Sequence, residues 1–214
     1  MRQFDQIYKQ IIMEQSGDVF RVGIFPGAFK PPHVGHYTTA LDACQSNDKV
    51  YIFVSTKSRA LTTHNVVKKE TPDIQRYNNI IKSDKYTSNL LGVQPAGVAR
   101  MTSASAFRSA ISAKDKNTVM KNLPQGVDAD QIFNILMRSN DITEPGYGHV
   151  TIEQTMAIWN IYKPLLIEQS NLTADDIIIK TSEPSPVKDT YDLVDMLNNS
   201  DNAGMTSVKL YVGE

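Results

Sequence analysis

The segment that constrains this chain most is residues 25–36, where two histidines three positions apart follow a run rich in glycine and proline. A short apolar run with β-branched residues, 19–25, precedes it and predicts a buried strand. Residues 36–44 follow it and have the spacing of a helix. His33 and His36 therefore lie where a strand, a loop and a helix N-terminus meet. Free N–H groups and the helix dipole favour an anion there, so two imidazole donors at this position suit phosphate chemistry.

A longer pattern surrounds the two histidines. The chain reads Gly27-x-Phe29-x-Pro31-x-His33-x-Gly35-His36. This pattern resembles the GxFxPxHxGH signature of the nucleotidyltransferase superfamily, which includes nicotinamide-mononucleotide adenylyltransferases, phosphopantetheine adenylyltransferase and cytidylyltransferases. The resemblance implies a Rossmann-like α/β fold, Mg²⁺ bound through nucleotide phosphates, and donation from His33 and His36 to phosphate oxygens. The alternative is a turn rich in proline and glycine whose histidines only cap a helix. Lys30, in the same loop, is grouped with these catalytic residues as a side chain that can reach a phosphate, and a solvated side chain is the alternative. The residues expected to bind the nucleotide around them are Phe25, Gly27, Ala28, Phe29 and Gly35.

Residues 102–108 resemble the second signature of the same family, ISGTxxR. The replacements are Thr102, Ala104 and Ser105 for isoleucine, glycine and threonine. In the family this segment holds the β- and γ-phosphates, which implies that role for Ser103, Ser105 and Arg108. Hydroxyl groups and N–H groups at a helix start cradle phosphate oxygens, and an arginine adds a permanently charged bidentate donor. The alternative is an ordinary helix N-cap followed by a surface arginine.

Strands and helices alternate along much of the chain, which predicts an α/β fold with a doubly wound parallel sheet. The predicted strands are 19–25, Lys49–Ser55, 176–181 and 208–212, and the predicted helices are 36–44, 151–169 and 189–199. Residues 56–150 interrupt this alternation with a mainly helical segment. Its predicted elements are helices 73–82, 105–114 and 128–138 and a short strand, 97–101.

The second signature has an unusual position in this chain. In the family it follows the fourth strand, whereas here it precedes the third. One explanation is a rearranged order in which the usual C-terminal strand and helix lie within residues 71–140. The other is an unrelated insertion, or a chain that stops before its C-terminal part. The family makes a ribose contact through a Gly-x-Asp after the fourth strand. The given sequence ends at Gly213-Glu214, before any such aspartate, so this contact is in doubt.

The composition narrows the classes of partner. At 214 residues the chain is one large domain, or one domain with an insertion. The net charge of −1, without a long basic run, argues against nucleic acid as the main partner. Cys44 is the single cysteine, so an intrachain disulfide is excluded and a reducing, cytoplasmic compartment is expected. The sequence shows no membrane-spanning run and no signal peptide, so no membrane partner is expected.

Residues 1–18 are predicted to form an N-terminal amphipathic helix ahead of a nucleotidyltransferase domain at residues 19–214. The apolar side chains on one face of that helix are Phe4, Ile7, Tyr8, Ile11 and Ile12. The helix either packs on the domain or docks a partner or second subunit, which leaves a homo-oligomer open.

Four further residues follow predicted strands at the edge where open α/β sheets bind ligands. Lys57 and Arg59 follow the second strand, and Ser185 and Lys188 follow the third. They are candidates for contacts with phosphate or with the acceptor substrate, and solvated side chains and a helix-entry turn are the alternatives. Trp159 is expected in the core rather than against a substrate. His64 and His149 lack metal-ligand spacing, so a protein-bound metal site is not expected.

These patterns predict a nucleotidyltransferase that acts on a nucleoside triphosphate and a small phosphorylated acceptor. The favoured pair is ATP and a pyridine mononucleotide, so that AMP is transferred and pyrophosphate leaves. CTP with a phosphorylated alcohol is the next alternative, and flavin and pantetheine acceptors follow. A different class is a non-catalytic nucleotide-binding component of a larger assembly, suggested by the displaced second signature and the amphipathic N-terminal segment.

Overall fold

The computed structural model describes residues 19–56, 59–60, 72–96, 104–138, 149–183 and 185–211. The strands are β1 (Phe20–Gly27), β2 (Lys49–Ser55), β3 (Arg59–Ala60), β4 (Gly92–Ala96), β5 (His149–Val150), β6 (Ile177–Ser182) and β7 (Thr206–Tyr211). The helices are α1 (Val34–Ser46), α2 (Pro72–Ile81), α3 (Asp84–Thr87), α4 (Ala104–Ser112), α5 (Lys116–Lys121), α6 (Ala129–Arg138), α7 (Ile152–Glu168) and α8 (Pro186–Asn198). A single 3₁₀ turn, Ala203–Met205, precedes β7.

The main sheet has five strands in the order β4-β7-β1-β2-β6, and each neighbouring pair is parallel. The chain runs from β1 through α1 to β2 on one side, and later adds β7 on the other side of β1. The carboxyl ends of β1 and β7 therefore form the topological switch point, where open α/β sheets bind ligands. The predicted doubly wound parallel sheet is confirmed.

Two apolar cores lie on the two faces of the sheet. One core packs α1, α4, α5, α6 and α7 against the sheet, around Trp159 and Tyr162. The other packs α2 and α8 against it, around Tyr77 and Val194. Both faces are thus covered by helices, as a parallel sheet requires.

The segment between β2 and β6 contributes directly to the main sheet. Its strand β4 pairs with β7 in parallel, from Gly92 opposite Ser207 to Ala96 opposite Tyr211, and forms one edge of the sheet. The helix that carries the second signature, α4, is the next helix along the chain. The edge of the sheet beside β7 is therefore filled by β4, which precedes both β6 and β7 in the chain.

The strand predicted at 97–101 lies outside the described residues. The structure has a strand at Gly92–Ala96 that the sequence analysis did not predict. Residue propensities do not predict this strand, because it contains Gly92 and Pro95, and glycine and proline are rare in strand interiors. Pro95 is tolerated because β4 is an edge strand, which need not donate on both sides.

The other predicted elements agree with the structure to within a few residues at each end. Two short helices, α3 and α5, were not predicted because four to six residues are too few to display helical periodicity. The predicted amphipathic helix at residues 1–18 lies outside the described residues.

Candidate active site

His33 and His36 form a reciprocal cap at the start of α1. His33 is the N-cap residue, and its Nδ1 accepts a hydrogen bond from the N–H of Gly35 at 3.1 Å. The backbone N–H of His33 donates in turn to Nδ1 of His36 at 3.3 Å. The two histidines thus replace the Ser/Thr and Glu/Gln of an ordinary capping box. The three-residue spacing seen in the sequence is the spacing that this cap requires.

This cap determines which ring nitrogen carries the proton. A ring nitrogen that accepts a hydrogen bond has no proton of its own, so a neutral imidazole must carry its proton on the other nitrogen. Because Nδ1 is the acceptor in both His33 and His36, the proton is assigned to Nε2 in each. The rings are stacked, with centroids 3.8 Å apart and planes 26° apart. Each of the two adjacent rings therefore carries its N–H on Nε2.

The second-signature helix lies beside the first histidine. The ring of Phe107 in α4 meets His33 edge-on, with centroids 6.0 Å apart. The side chain of Arg108 is 8% exposed, and its charge acts on His33. Burial, with the Arg108 charge as the second cause, lowers the pKa of His33 from 6.5 to about 4. His33 is consequently neutral near pH 7, as the acceptance of a hydrogen bond at its Nδ1 requires.

The expectation of free backbone N–H groups at the start of α1 is wrong for the first two positions. The N–H of Val34 donates to the carbonyl of Asn122 at 2.8 Å. The N–H of Gly35 donates to His33. Both amides are therefore already used, and an anion at this point must rely on side-chain donors. The Asn122 bond also ties the end of α5 to the histidine loop.

The loop ahead of the histidines is organised around a buried phenylalanine. Phe29 has a positive φ of 47° and packs edge-on against His36 and Phe25, at centroid distances of 5.1 and 4.7 Å. A Cβ on Gly27 would lie 2.6 Å from the Phe29 ring, so glycine is required there for close packing. The side chain of Phe25, which the sequence analysis expected to bind the nucleotide, is itself buried in the core. Ala28, between Gly27 and Phe29, is half-buried.

Lys30 lies in the same loop and is 3% exposed. Burial lowers its pKa, and the carboxylate of Glu153 in the first turn of α7 opposes that shift. The site thus contains two cationic side chains from separate parts of the chain, Lys30 and Arg108. Such a pair suits the phosphate groups of a nucleotide.

Ser185 and Lys188 also meet in the structure, at the start of α8. They line an open groove of about 610 Å³ together with Asn79, Ser83, Tyr86, Val187 and Tyr191. Tyr86 and Tyr191 contact edge-on, with centroids 5.2 Å apart. Ser185 is the N-cap of α8, and Lys188 forms an exposed ion pair with Asp192. The groove lies between α8 and the segment at the end of α2 and α3, on the sheet face opposite to α1, and only its Ser185 end is at the carboxyl edge, because α8 starts directly after β6.

The remaining predicted positions are not all described. Lys57, Ser103 and His64 lie outside the described residues. Arg59 lies in β3, His149 in β5 and Ser105 in α4, but their side chains are not described. Trp159 is fully buried in the core, as expected. Cys44 is a buried free thiol whose pKa burial raises to about 12.

Sequence reasoning missed three contributors to the site. Asn122 acts through a backbone carbonyl, which no residue pattern reveals. Glu153 and Tyr162 lie in α7, more than 110 positions from the motif, and reach it only because α7 packs beneath the loop. Within the described residues there is no group of three or more histidine, cysteine or acidic side chains arranged to hold a metal ion. Across the same residues, no helix is long and apolar enough to cross a membrane.

Comparison with known proteins gives one match. The family model described as cytidylyltransferase-like matches residues 24–161, which is more than half of the chain. No curated protein and no solved structure matches. The matched range includes the histidine loop, β2, β4, the Arg108 helix and most of α7. The chain therefore belongs to the cytidylyltransferase-like family of the nucleotidyltransferase superfamily.

Proposed function

We propose that this protein transfers a nucleoside monophosphate from a nucleoside triphosphate to a phosphorylated acceptor. The observation that carries the proposal is the pair of stacked imidazoles that each carry their proton on Nε2, with Arg108 beside them. Donors of this kind suit the negative charge that develops on phosphate oxygens during transfer. Arg108 belongs to the displaced second signature, and its charge nevertheless acts on His33. This proximity supports a catalytic protein over a non-catalytic one.

In this reaction an oxygen of the acceptor phosphate attacks the α-phosphorus in line. A new P–O bond forms, the bond from the α-phosphorus to the bridging oxygen breaks, and pyrophosphate leaves. His33 and His36 donate hydrogen bonds to the α- and β-phosphate oxygens, while Lys30 and Arg108 neutralise charge. No covalent enzyme intermediate is needed, so positioning and electrostatic stabilisation supply the rate.

Mg²⁺ fits this site as an ion carried by the nucleotide. The described side chains near the histidines are mainly cationic, with Glu153 as a single carboxylate, so they suit phosphates better than direct metal coordination. When bound, the ion supplies neutralisation of phosphate charge. The residues that would hold it indirectly are those that bind the phosphates, His33, His36, Arg108 and Lys30.

The favoured substrates are ATP and a pyridine mononucleotide, with CTP and a phosphorylated alcohol as the alternative. The groove at the start of α8 supports an acceptor that combines a flat ring with a phosphate. Tyr86 and Tyr191 offer aromatic surfaces, while Lys188 and Ser185 offer polar groups.

The test is pyrophosphate release with Mg²⁺ and ATP or CTP, each against a panel of phosphorylated acceptors. We expect His36→Ala to lower turnover at least about a hundredfold, the scale of one lost oxyanion donor. His36→Gln is the matched variant, because glutamine at the third helical position can keep the cap. This variant should fold as stably as the wild type and still release pyrophosphate more slowly. Unchanged turnover in His36→Ala would refute the mechanism, and nucleotide binding without release in the wild type would favour the non-catalytic component.

A further inference from the structure

Helix α7 lies under the histidine loop and contacts it at two places. The hydroxyl of Tyr162 donates to the carbonyl of Pro32 at 3.3 Å. Trp159, one turn earlier, packs edge-on against Phe29 with centroids 5.3 Å apart. Both α7 side chains are fully buried. Residues three apart share one face of a helix, so this face of α7 supports the loop from below.

The Tyr162 bond acts on the same peptide unit that caps His36. The carbonyl of Pro32 and the N–H of His33 belong to one peptide group, which is planar and rotates as a unit. Tyr162 binds its oxygen, and Nδ1 of His36 accepts from its N–H. Rotation of this peptide would therefore break both bonds together. The N–H that it donates is also what places the proton of His36 on Nε2.

Trp159 supports the other side of the same histidine. It contacts Phe29, and Phe29 contacts His36 at a centroid distance of 5.1 Å. The indole N–H of Trp159 is buried without a hydrogen-bond partner among the described residues. A buried donor left unpaired costs free energy. The indole at this position is therefore explained by its ring contacts rather than by its N–H.

We propose that Tyr162 is a positioning residue for His36: it fixes the Pro32–His33 peptide and thereby the orientation and tautomer of the imidazole. Trp159 supports the same histidine through Phe29. The effect on turnover rests on the proposed nucleotidyl transfer, whereas the effect on the His36 tautomer does not. Neither residue belongs to the histidine motif, and neither is predicted to touch a substrate.

The chain provides a matched control for this proposal. Tyr37 is also a buried tyrosine, it contacts the Tyr162 ring at a centroid distance of 5.6 Å, and its hydroxyl donates to Oε1 of Gln169 at 2.9 Å. Tyr162→Phe and Tyr37→Phe each remove one oxygen atom and one hydrogen bond, buried for Tyr162 and part-buried for Tyr37, from the same core. Only the first variant removes a bond to the histidine loop.

We expect Tyr162→Phe to lower kcat about tenfold while leaving the nucleotide KM within about twofold, because small misplacements of catalytic groups reduce the rate more than binding. Tyr37→Phe should keep the wild-type kcat, and the two variants should lose similar thermal stability. The ¹⁵N NMR signals of His36, assigned with His36→Gln, should report one tautomer in the wild type and in Tyr37→Phe. In Tyr162→Phe they should report a mixture. Trp159→Phe, which keeps a ring beside Phe29, is a second variant and should lower kcat less.

Each outcome decides a separate question. Equal losses of kcat in the two tyrosine variants would make the effect a general one of core packing and would overturn the proposal. A single His36 tautomer in Tyr162→Phe would also overturn it. If the wild type releases no pyrophosphate with any substrate pair, the proposed function fails, and the NMR comparison alone then decides whether Tyr162 positions His36.

Discussion

Replacing His33 by asparagine should remove a defined part of the pH dependence of stability. The pKa of His33 is about 4 in the folded protein, against 6.5 for an exposed histidine. Between these values the unfolded chain takes up a proton that the folded protein excludes, so stability falls as the pH falls through this range. From the two pKa values, this one residue lowers the free energy of unfolding by about 2 kcal/mol at pH 5 and about 3 kcal/mol at pH 4, relative to pH 7.

The assay is urea unfolding of the wild type and His33→Asn at pH 7, 6, 5 and 4. Asparagine at the N-cap can still accept from the N–H of Gly35, so the helix start is retained, but it does not titrate. Other titrating groups are common to both proteins and cancel in the difference between the two pH profiles. We expect the free energy of unfolding of the wild type to fall by about 2 kcal/mol more than that of the variant between pH 7 and pH 5. Parallel profiles would refute the argument that His33 is buried in its neutral form.

Two further predictions concern residues that contact this site. Gly27→Ala should lower the free energy of unfolding by about 1–3 kcal/mol and reduce pyrophosphate release, because its Cβ would overlap the Phe29 ring; urea unfolding with wild-type stability would show that the ring can move without cost. Arg108→Met should raise the pKa of His33 in an NMR titration, because the arginine charge lowers that pKa. The same variant should raise the nucleotide KM at least about tenfold, the scale of a lost charged hydrogen bond, and an unchanged KM would exclude Arg108 from phosphate binding.

Much of the fold could be predicted because its strands and helices carry strong local patterns. The strand Lys49–Ser55 is predicted to the residue, since a continuous apolar run with polar ends leaves little choice. The edge strand β4 was not predicted because a half-exposed strand with a glycine and a proline carries no such pattern. For the site, the histidine pair and Arg108 stand out in the sequence as donors. The occupation of the Val34 amide by the carbonyl of Asn122 does not, because it depends on a backbone atom that every residue has.

The sequence by itself determined the local chemistry of this protein: a strand, a glycine-containing turn and two histidines spaced to cap a helix and each other. These features depend on contacts within a few residues, so spacing is enough to specify them. The tertiary structure alone decided which distant segments complete the site. Arg108 reaches His33, and Tyr162 reaches Pro32, because β4 joins the sheet beside β7 and α7 packs beneath the loop. Burial and neighbouring charge, which set the pKa of His33, exist only once those segments are packed together.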